Sequence, residues 1–277
     1  MSSTSAQASP AGSGGPAEPV LQVTDIHKSF GAVHAVDGCS MAVPAGAIVG
    51  LIGPNGSGKS TFIEVLSGLL PADSGRILLR GTDITRTAPH QRARLGLRRT
   101  FQASRLWMHL SVAENLLAST PPQGRDSFWR TYLRPGAVRR AEADSAIVAA
   151  EVLERFGLIE MRDQPAAVLS GGQGRLLEFA RILVSGATVA LLDEPLAGVN
   201  PVMAESVISG IRDLQRGGIS VLLVEHNLAA VEELCDPIYG MSEGRIAVSG
   251  SMQEITASTF FADAYIGASR SAGTGES

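Results

Sequence analysis

Gly53-Pro54-Asn55-Gly56-Ser57-Gly58-Lys59-Ser60-Thr61 follows the apolar run Ile48-Val49-Gly50-Leu51-Ile52 and precedes the helical pattern Phe62-Ile63-Glu64-Val65-Leu66. Strand, glycine loop, helix is the context in which G-x-x-x-x-G-K-[ST] reads as a phosphate-binding loop, and it predicts an α/β fold. Glycine at these positions lets successive backbone N–H groups turn inward on a phosphate where a Cβ would obstruct them. The helix opening near Lys59 aims the positive end of its dipole at the same anion. Lys59 adds a point charge for the β- and γ-phosphates, and the Ser60 hydroxyl is placed to ligate Mg²⁺.

Working outward, 277 residues are enough for one large domain or a domain with a lobe. The composition, 44% hydrophobic and 18% charged, is that of an ordinary globular protein. A formal charge of −4 gives no reason to expect a nucleic-acid partner. No apolar run approaches the roughly 18 residues of a membrane span. The beginning of the chain has neither a basic start nor an apolar core of the signal-peptide kind, so the expected compartment is the cytoplasm. Cys39 and Cys235 sit in apolar surroundings and read as buried small hydrophobes rather than a disulfide.

Further motifs follow the loop. Val189-Ala190-Leu191-Leu192-Asp193-Glu194 is an apolar strand with two carboxylates at its C-terminal end, the end at which open α/β sheets bind ligands. Asp193 would hold Mg²⁺, and Glu194 is the candidate general base for an attacking water. Ile219–Val224 is a second buried-type strand, closed by Glu225-His226-Asn227, which puts His226 at the same edge. Leu169-Ser170-Gly171-Gly172-Gln173 opens a strong helical run from Arg175 to Leu183, and small residues at a helix start make a second anion site.

The remaining pattern is coarser. Residues 1–19 are mostly Ser, Ala, Gly and Pro and read as a disordered tail, as do 268–277 at the other end. Val20–Ile26 alternates like a half-buried strand, with Phe30 at its end open to a core or a site reading. Val33–Val36 and Cys39–Val43 read as short strands separated by an Asp37-Gly38 turn. Pro89–Leu95 reads as a short helix, Leu97–Gln102 as a strand, and Ser111 with Glu114 as a capping box. The stretch 120–137 mixes Phe128, Trp129 and Tyr132 with Arg125, Arg130 and Arg134, which suits either an inserted helical hairpin or a partner patch. Ala141–Phe156 has helical periodicity with Ile147, Val148, Val152 and Leu153 on one stripe.

The phosphate loop, Gln102, Leu169 to Gln173, Asp193-Glu194 and His226 occur in this order in one chain. That set resembles the ATPase subunit of an ABC transporter over residues 20–267. The resemblance implies a P-loop NTPase fold: a mainly parallel core sheet, an antiparallel β subdomain, and a helical subdomain at 103–185 carrying an insertion at 120–140. It implies ATP and Mg²⁺ as cofactors. Phe30 would stack on adenine, Gln102 would sense Mg²⁺ and the γ-phosphate, and His226 would contact the γ-phosphate. Two copies would pack head to tail, with Ser170, Gly171, Gly172 and Gln173 of one facing the phosphate loop of the other across ATP.

The finer match is to ATPases of high-affinity branched-chain amino-acid importers. It rests on Arg99-Thr100-Phe101-Gln102, the insertion, Ala197-Gly198-Val199-Asn200-Pro201, Val224-Glu225-His226-Asn227 and Ala264-Tyr265-Ile266-Gly267. Such importers pair two non-identical ATPases with two integral membrane permease subunits and an extracytoplasmic binding protein, which implies a place on the cytoplasmic face of the membrane. Urea or amide importers and exporter ATPases share much of the pattern. A soluble ABC ATPase of DNA repair or translation would carry a coiled coil or tandem cassettes, and neither is in the sequence. A P-loop kinase would have no use for Leu169–Gln173. Two positions depart from the common pattern, Asn200 where Asp is usual and Gly174 where a larger polar residue is usual. The second should loosen the first turn of its helix.

Overall fold

The computed structural model describes residues 19–100, 106–120 and 147–262. Among the described residues ten strands form two sheets. A four-stranded antiparallel sheet runs in the order β2 (Val33–Pro44), β1 (Pro19–Phe30), β4 (Ser74–Leu79), β5 (Thr82–Asp83). A six-stranded sheet runs β10 (Arg245–Gly250), β9 (Ile238–Ser242), β3 (Ile48–Ile52), β8 (Ser220–Val224), β7 (Val189–Asp193), β6 (Leu97–Arg99), parallel throughout except for β10 at one edge.

The parallel strands β3, β7 and β8 are buried at every position, as expected of a sheet covered on both faces. Alternation divides their side chains between two cores. Val49, Leu51, Val189, Leu191, Leu222 and Val224 pack with the antiparallel sheet and with α1 (Lys59–Ser67). Ile52, Ala190, Leu192, Val221 and Leu223 face the other way, toward a helical layer. That layer includes α3 (Val112–Leu117), the helical residues 147–155 (α4), α5 (Gly171–Val184) and α6 (Pro201–Arg216). Gly210 lets α6 approach α5 closely, since a Cβ there would stand 3.0 Å from both Leu176 and Phe179.

Several expectations need correction. Val33–Val43 is one strand, and Asp37-Gly38 is not a hairpin turn: Gly38, at φ +75, bulges where the register slips between the pairs Ile26↔Cys39 and His27↔Asp37. Asp37 stays in the ladder, ion-paired with Arg245 on β10. On α4 the buried stripe is Ala149 and Leu153, continued by Phe156 past its end, while Ile147 and Val148 are 58% and 51% exposed. The helix assigned from Arg175 already begins at Gly171, and Gly174 does not loosen it: its N–H donates to the Ser170 carbonyl at 2.8 Å. Other readings hold. Pro89–Arg94 (α2) is a short helix, and Ser111 and Glu114 form the capping box of α3. Cys39 and Cys235 are buried free thiols, pushed up by burial to about 11 and about 12. Gln102, residues 121–140 of the insertion, Ala264–Gly267 and the terminal stretches 1–18 and 268–277 lie outside the described residues.

Arg92 on α2 is a support that the sequence did not announce. It is 2% exposed and donates to the carbonyls of Val65 and Leu66 at 2.7 Å each, and to those of Thr85 and Thr87. The first two belong to the last turn of α1, at the negative end of its dipole, where the Val65 carbonyl also accepts the Gly68 N–H at 3.1 Å. Arg92→Ala is expected to destabilise the fold by about 3 kcal/mol, because it removes a buried side chain and the donors it gives to four carbonyls, two of them on the helix that carries Lys59. Denaturant midpoints of the two proteins measure the difference.

Candidate active site

The strand order β3-β8-β7 puts three C-terminal strand ends side by side, in the register Leu51↔Val224↔Asp193. The phosphate loop leaves the first, Glu225-His226 the second and Glu194 the third, so motifs far apart in sequence meet at one edge. There a cleft of about 360 Å³ is lined by Asn55, Gly56, Gly58, Lys59, Ser60, Thr61, Glu194 and His226. Its opposite wall is Val33, His34 and Ala35 from β2 together with Glu243 and Gly244 from the β9–β10 turn. That turn is tied to the loop by Gly244 N–H donating to the Ser57 carbonyl at 3.0 Å. The sequence reading missed this wall, since it comes from a strand pairing and a turn with no motif of their own.

Lys59 is 6% exposed at the first residue of α1, and its Nζ donates to the Gly53 and Pro54 carbonyls, both at 2.8 Å. It is therefore held against the loop rather than free in solvent. Burial pulls its ammonium below the usual lysine value, while Glu194 and Asp193 act the other way. Gly58 caps α1 at φ +103.

Glu194 is in the left-handed region at φ +48, a conformation that costs a residue with a Cβ about 1 kcal/mol. Its N–H donates to the Val224 carbonyl at 2.9 Å, and its Oε1 lies 2.7 Å from His226 Nε2. Beneath them Glu225, 3% exposed, accepts the N–H groups of Leu196 at 2.8 Å and His226 at 3.1 Å. Burial pushes its carboxyl up, with Glu194 adding to the rise. Glu225 thus braces both loops, and the sequence hint was a carboxylate directly after an apolar strand.

Asp193, 4% exposed, stands behind the cleft and is ion-paired with Arg99 at 2.9 Å. Among the described residues no group of three or more His, Cys, Asp or Glu gathers to hold a metal. The Ser60 hydroxyl and the two carboxylates are hard oxygen donors, a set that suits Mg²⁺ arriving with phosphates rather than a transition metal caged by protein. Phe30 is no core aromatic: it is 51% exposed, pairs in register with Val33 of the cleft wall, and has Lys28 Nζ 5.6 Å from its ring centre. Ser170 and Gly171 are exposed at the start of α5, and none of residues 170–173 lines the cleft of its own chain. Asn200 caps α6 by accepting the Val202 N–H at 3.0 Å.

A family model described as ABC transporter matches residues 36–197, more than half of the chain, from just past the cleft wall on β2 to just beyond Glu194. The chain belongs to the ABC transporter family. As an ATP-binding subunit of that family it binds nucleotide, hydrolyses ATP and works with membrane permease components. Among similar proteins, a probable branched-chain amino acid transport ATP-binding protein of Archaeoglobus fulgidus is 37% identical over 249 residues, covering 90% of this chain and 96% of that one. The high-affinity branched-chain amino acid transport ATP-binding protein of Escherichia coli K12 is 34% identical over 251 residues, covering 90% and 98%. The ADP conformation of an ATP-binding cassette of an ABC transporter superposes with a TM-score of 0.72 at 35% identity, covering 86% of this chain and 93% of that one. No helix among the described residues is long and apolar enough to cross a membrane.

Proposed function

We propose that this ABC ATPase drives uptake of branched-chain or related amino acids, as one of two head-to-tail ATPase subunits under two permease subunits at the cytoplasmic face of the membrane. In this reading residues 20–267 form the cassette, with 103–185 as its helical part. The relatives' names support the cargo. The observation that carries the catalytic reading is the 2.7 Å contact of Glu194 with His226, beside Lys59 and Ser60 at one sheet edge.

Each residue then has a task. The Gly53–Thr61 backbone and Lys59 cradle the phosphates, and Phe30 stacks on adenine. Glu194 accepts a proton from the attacking water, while His226 holds its carboxylate and contacts the γ-phosphate. Ser60, Asp193 and Gln102 would hold Mg²⁺, which neutralises charge developing on the transferred phosphoryl group. Exposure of Ser170 and Gly171 away from their own cleft supports their use by the partner, so that ATP closes the dimer and hydrolysis reopens it.

Purification from native membranes tests the whole reading. Two polytopic subunits, a shorter ATPase and a binding protein with an amino-acid ligand are the expected companions. Soluble partners alone, or an exporter-type membrane protein, would overturn import.

Docking would use the surface around Trp107 and Met108, which are 44% and 47% exposed beside Leu106. Trp107→Ala is expected to leave hydrolysis by the isolated subunit near normal and to lower uptake per ATP severalfold in the assembled transporter, as loss of an aromatic anchor does. Full coupling in that variant would move the docking site elsewhere.

A further inference from the structure

We propose that Asp37 is a positioning residue for the nucleotide cleft, kept in place by a proton on His27. With His27 charged, the cleft wall on β2 is clamped to the β9–β10 turn. When His27 loses its proton the clamp loosens, and nucleotide binds more weakly. This rests on the nucleotide cleft described above and adds a pH-dependent part to its wall.

Asp37 follows the cleft-lining residues Val33, His34 and Ala35 on β2. Its N–H donates to the Gly244 carbonyl at 2.8 Å, and the Gly244 N–H in turn donates to the Ser57 carbonyl of the phosphate loop at 3.0 Å. Gly244 also lines the cleft, so through it Asp37 ties β2 to the phosphate loop. Both oxygens of the Asp37 carboxylate are held. Oδ2 accepts from Arg245 Nε at 2.9 Å and from the same guanidinium's Nη2, while Oδ1 lies 3.1 Å from His27 Nδ1. Arg245 foremost, with His27 and His34 adding to it, keeps the Asp37 carboxyl below its usual value.

His27 stands between two carboxylates. Its Nε2 lies 3.1 Å from Asp25 Oδ1, so each ring nitrogen has a carboxylate oxygen beside it. A neutral imidazole has one N–H and sets the lone pair of its other nitrogen against an anion; only the charged ring is a donor on both sides. The backbone makes room for this arrangement. A Cβ on Gly38, in the β2 bulge, would stand 3.3 Å from Asp25 Oδ1 and 3.6 Å from His27 Cε1. Asp25 is itself in the left-handed region at φ +51, its N–H donating to Ser40 Oγ at 2.9 Å. The neighbouring charges are already matched: Lys28 on β1 pairs with Asp73, just before β4, at 2.7 Å, and Arg245 on β10 pairs with Asp37. His34 on β2 lies 2.9 Å from Ser29 Oγ. Loss of the His27 proton therefore leaves Asp25 and Asp37 on either side of a neutral ring, which pushes β1 and β2 apart at the bulge and draws Asp37 off Gly244. Proton and nucleotide thus favour one another's binding, and affinity falls as pH rises.

Titration of a fluorescent ATP analogue into the full chain at a series of pH values tests the clamp. From about pH 6 to about pH 8, where histidines change charge, the unsubstituted chain is expected to lose about fivefold more affinity than His27→Gln, whose side chain cannot charge. Protons on the nucleotide and on His34, which also lines the cleft, act in both proteins and cancel in the comparison. His27→Lys, charged throughout, should keep its affinity at the upper end of the range. Asp37→Asn should bind about fivefold more weakly than the unsubstituted chain at the lower end and lose the extra pH dependence. Parallel pH profiles of the unsubstituted chain and His27→Gln overturn the role of the proton. Unchanged affinity in Asp37→Asn, even with a lower melting temperature, makes Asp37 merely structural and overturns the positioning role. Should that protein not fold, Arg245→Gln, which releases the same carboxylate from an exposed side chain, decides in its place by the same criterion. If the unsubstituted chain binds no nucleotide at any pH, the cleft reading itself fails and takes this inference with it.

Discussion

Replacing Glu194 with Gln is expected to slow ATP hydrolysis by about 10²–10⁴-fold while leaving ATP affinity within about threefold, the signature of an interaction that matters only in the transition state. The substitution keeps size and a carbonyl oxygen, so the 2.7 Å contact to His226 Nε2 has a replacement partner. What it removes is the ability to take a proton. The carboxylate is held firmly enough for the comparison to be clean, with its main chain fixed by the Val224 carbonyl and its loop braced through Leu196 on Glu225. Single-turnover phosphate release measures the rate, and a fluorescent ATP analogue measures binding. Normal turnover would take the base role away from Glu194. A parallel loss of affinity would mean instead that the side chain holds the cleft together.

The parts of this site that the sequence made legible are those that one strand end or one helix start places by itself. Gly53–Thr61, Asp193-Glu194 and His226 each follow a short apolar run, and parallel strands deliver such ends to a common edge. The capping box of Ser111 with Glu114 was legible for the same reason, since it acts within one turn, whereas that of Ser170 with Gln173 went unread because the helix was assigned only from Arg175. What escaped depends on pairing across the fold. Gly38 looked like a turn because a glycine at φ +75 serves a bulge as well as a hairpin, and only the partner strand decides which. Ile147 and Val148 looked like core because periodicity reports a stripe without saying what lies against it. Arg92 and Arg99 were invisible as anchors, since an arginine in a charged stretch reads as solvated until four carbonyls or a buried Asp193 are found around it.

Gly58→Ala is expected to reduce ATP affinity about 100-fold and to lower stability by about 3 kcal/mol, whereas Gly56→Ala should cost about 1 kcal/mol and little affinity. Both glycines have positive φ, +103 and +79, so a Cβ strains the backbone at either. They differ in surroundings. A Cβ on Gly56 meets nothing within 4 Å. A Cβ on Gly58 would overlap the Ala35 carbonyl oxygen and stand 2.8 Å from Met241 Cε, so β2 and β9 press on the loop from two sides. Gly58 also caps α1, its carbonyl accepting the Phe62 N–H at 2.9 Å, and any shift there turns the first N–H groups of the helix and Lys59 away from the phosphates. Thermal melts and nucleotide titrations of the two variants separate the causes. Equal losses in both would mean that conformational freedom alone explains the glycines. The unequal losses expected here would mean that the phosphate loop is shaped by the two strands that enclose it as much as by its own sequence.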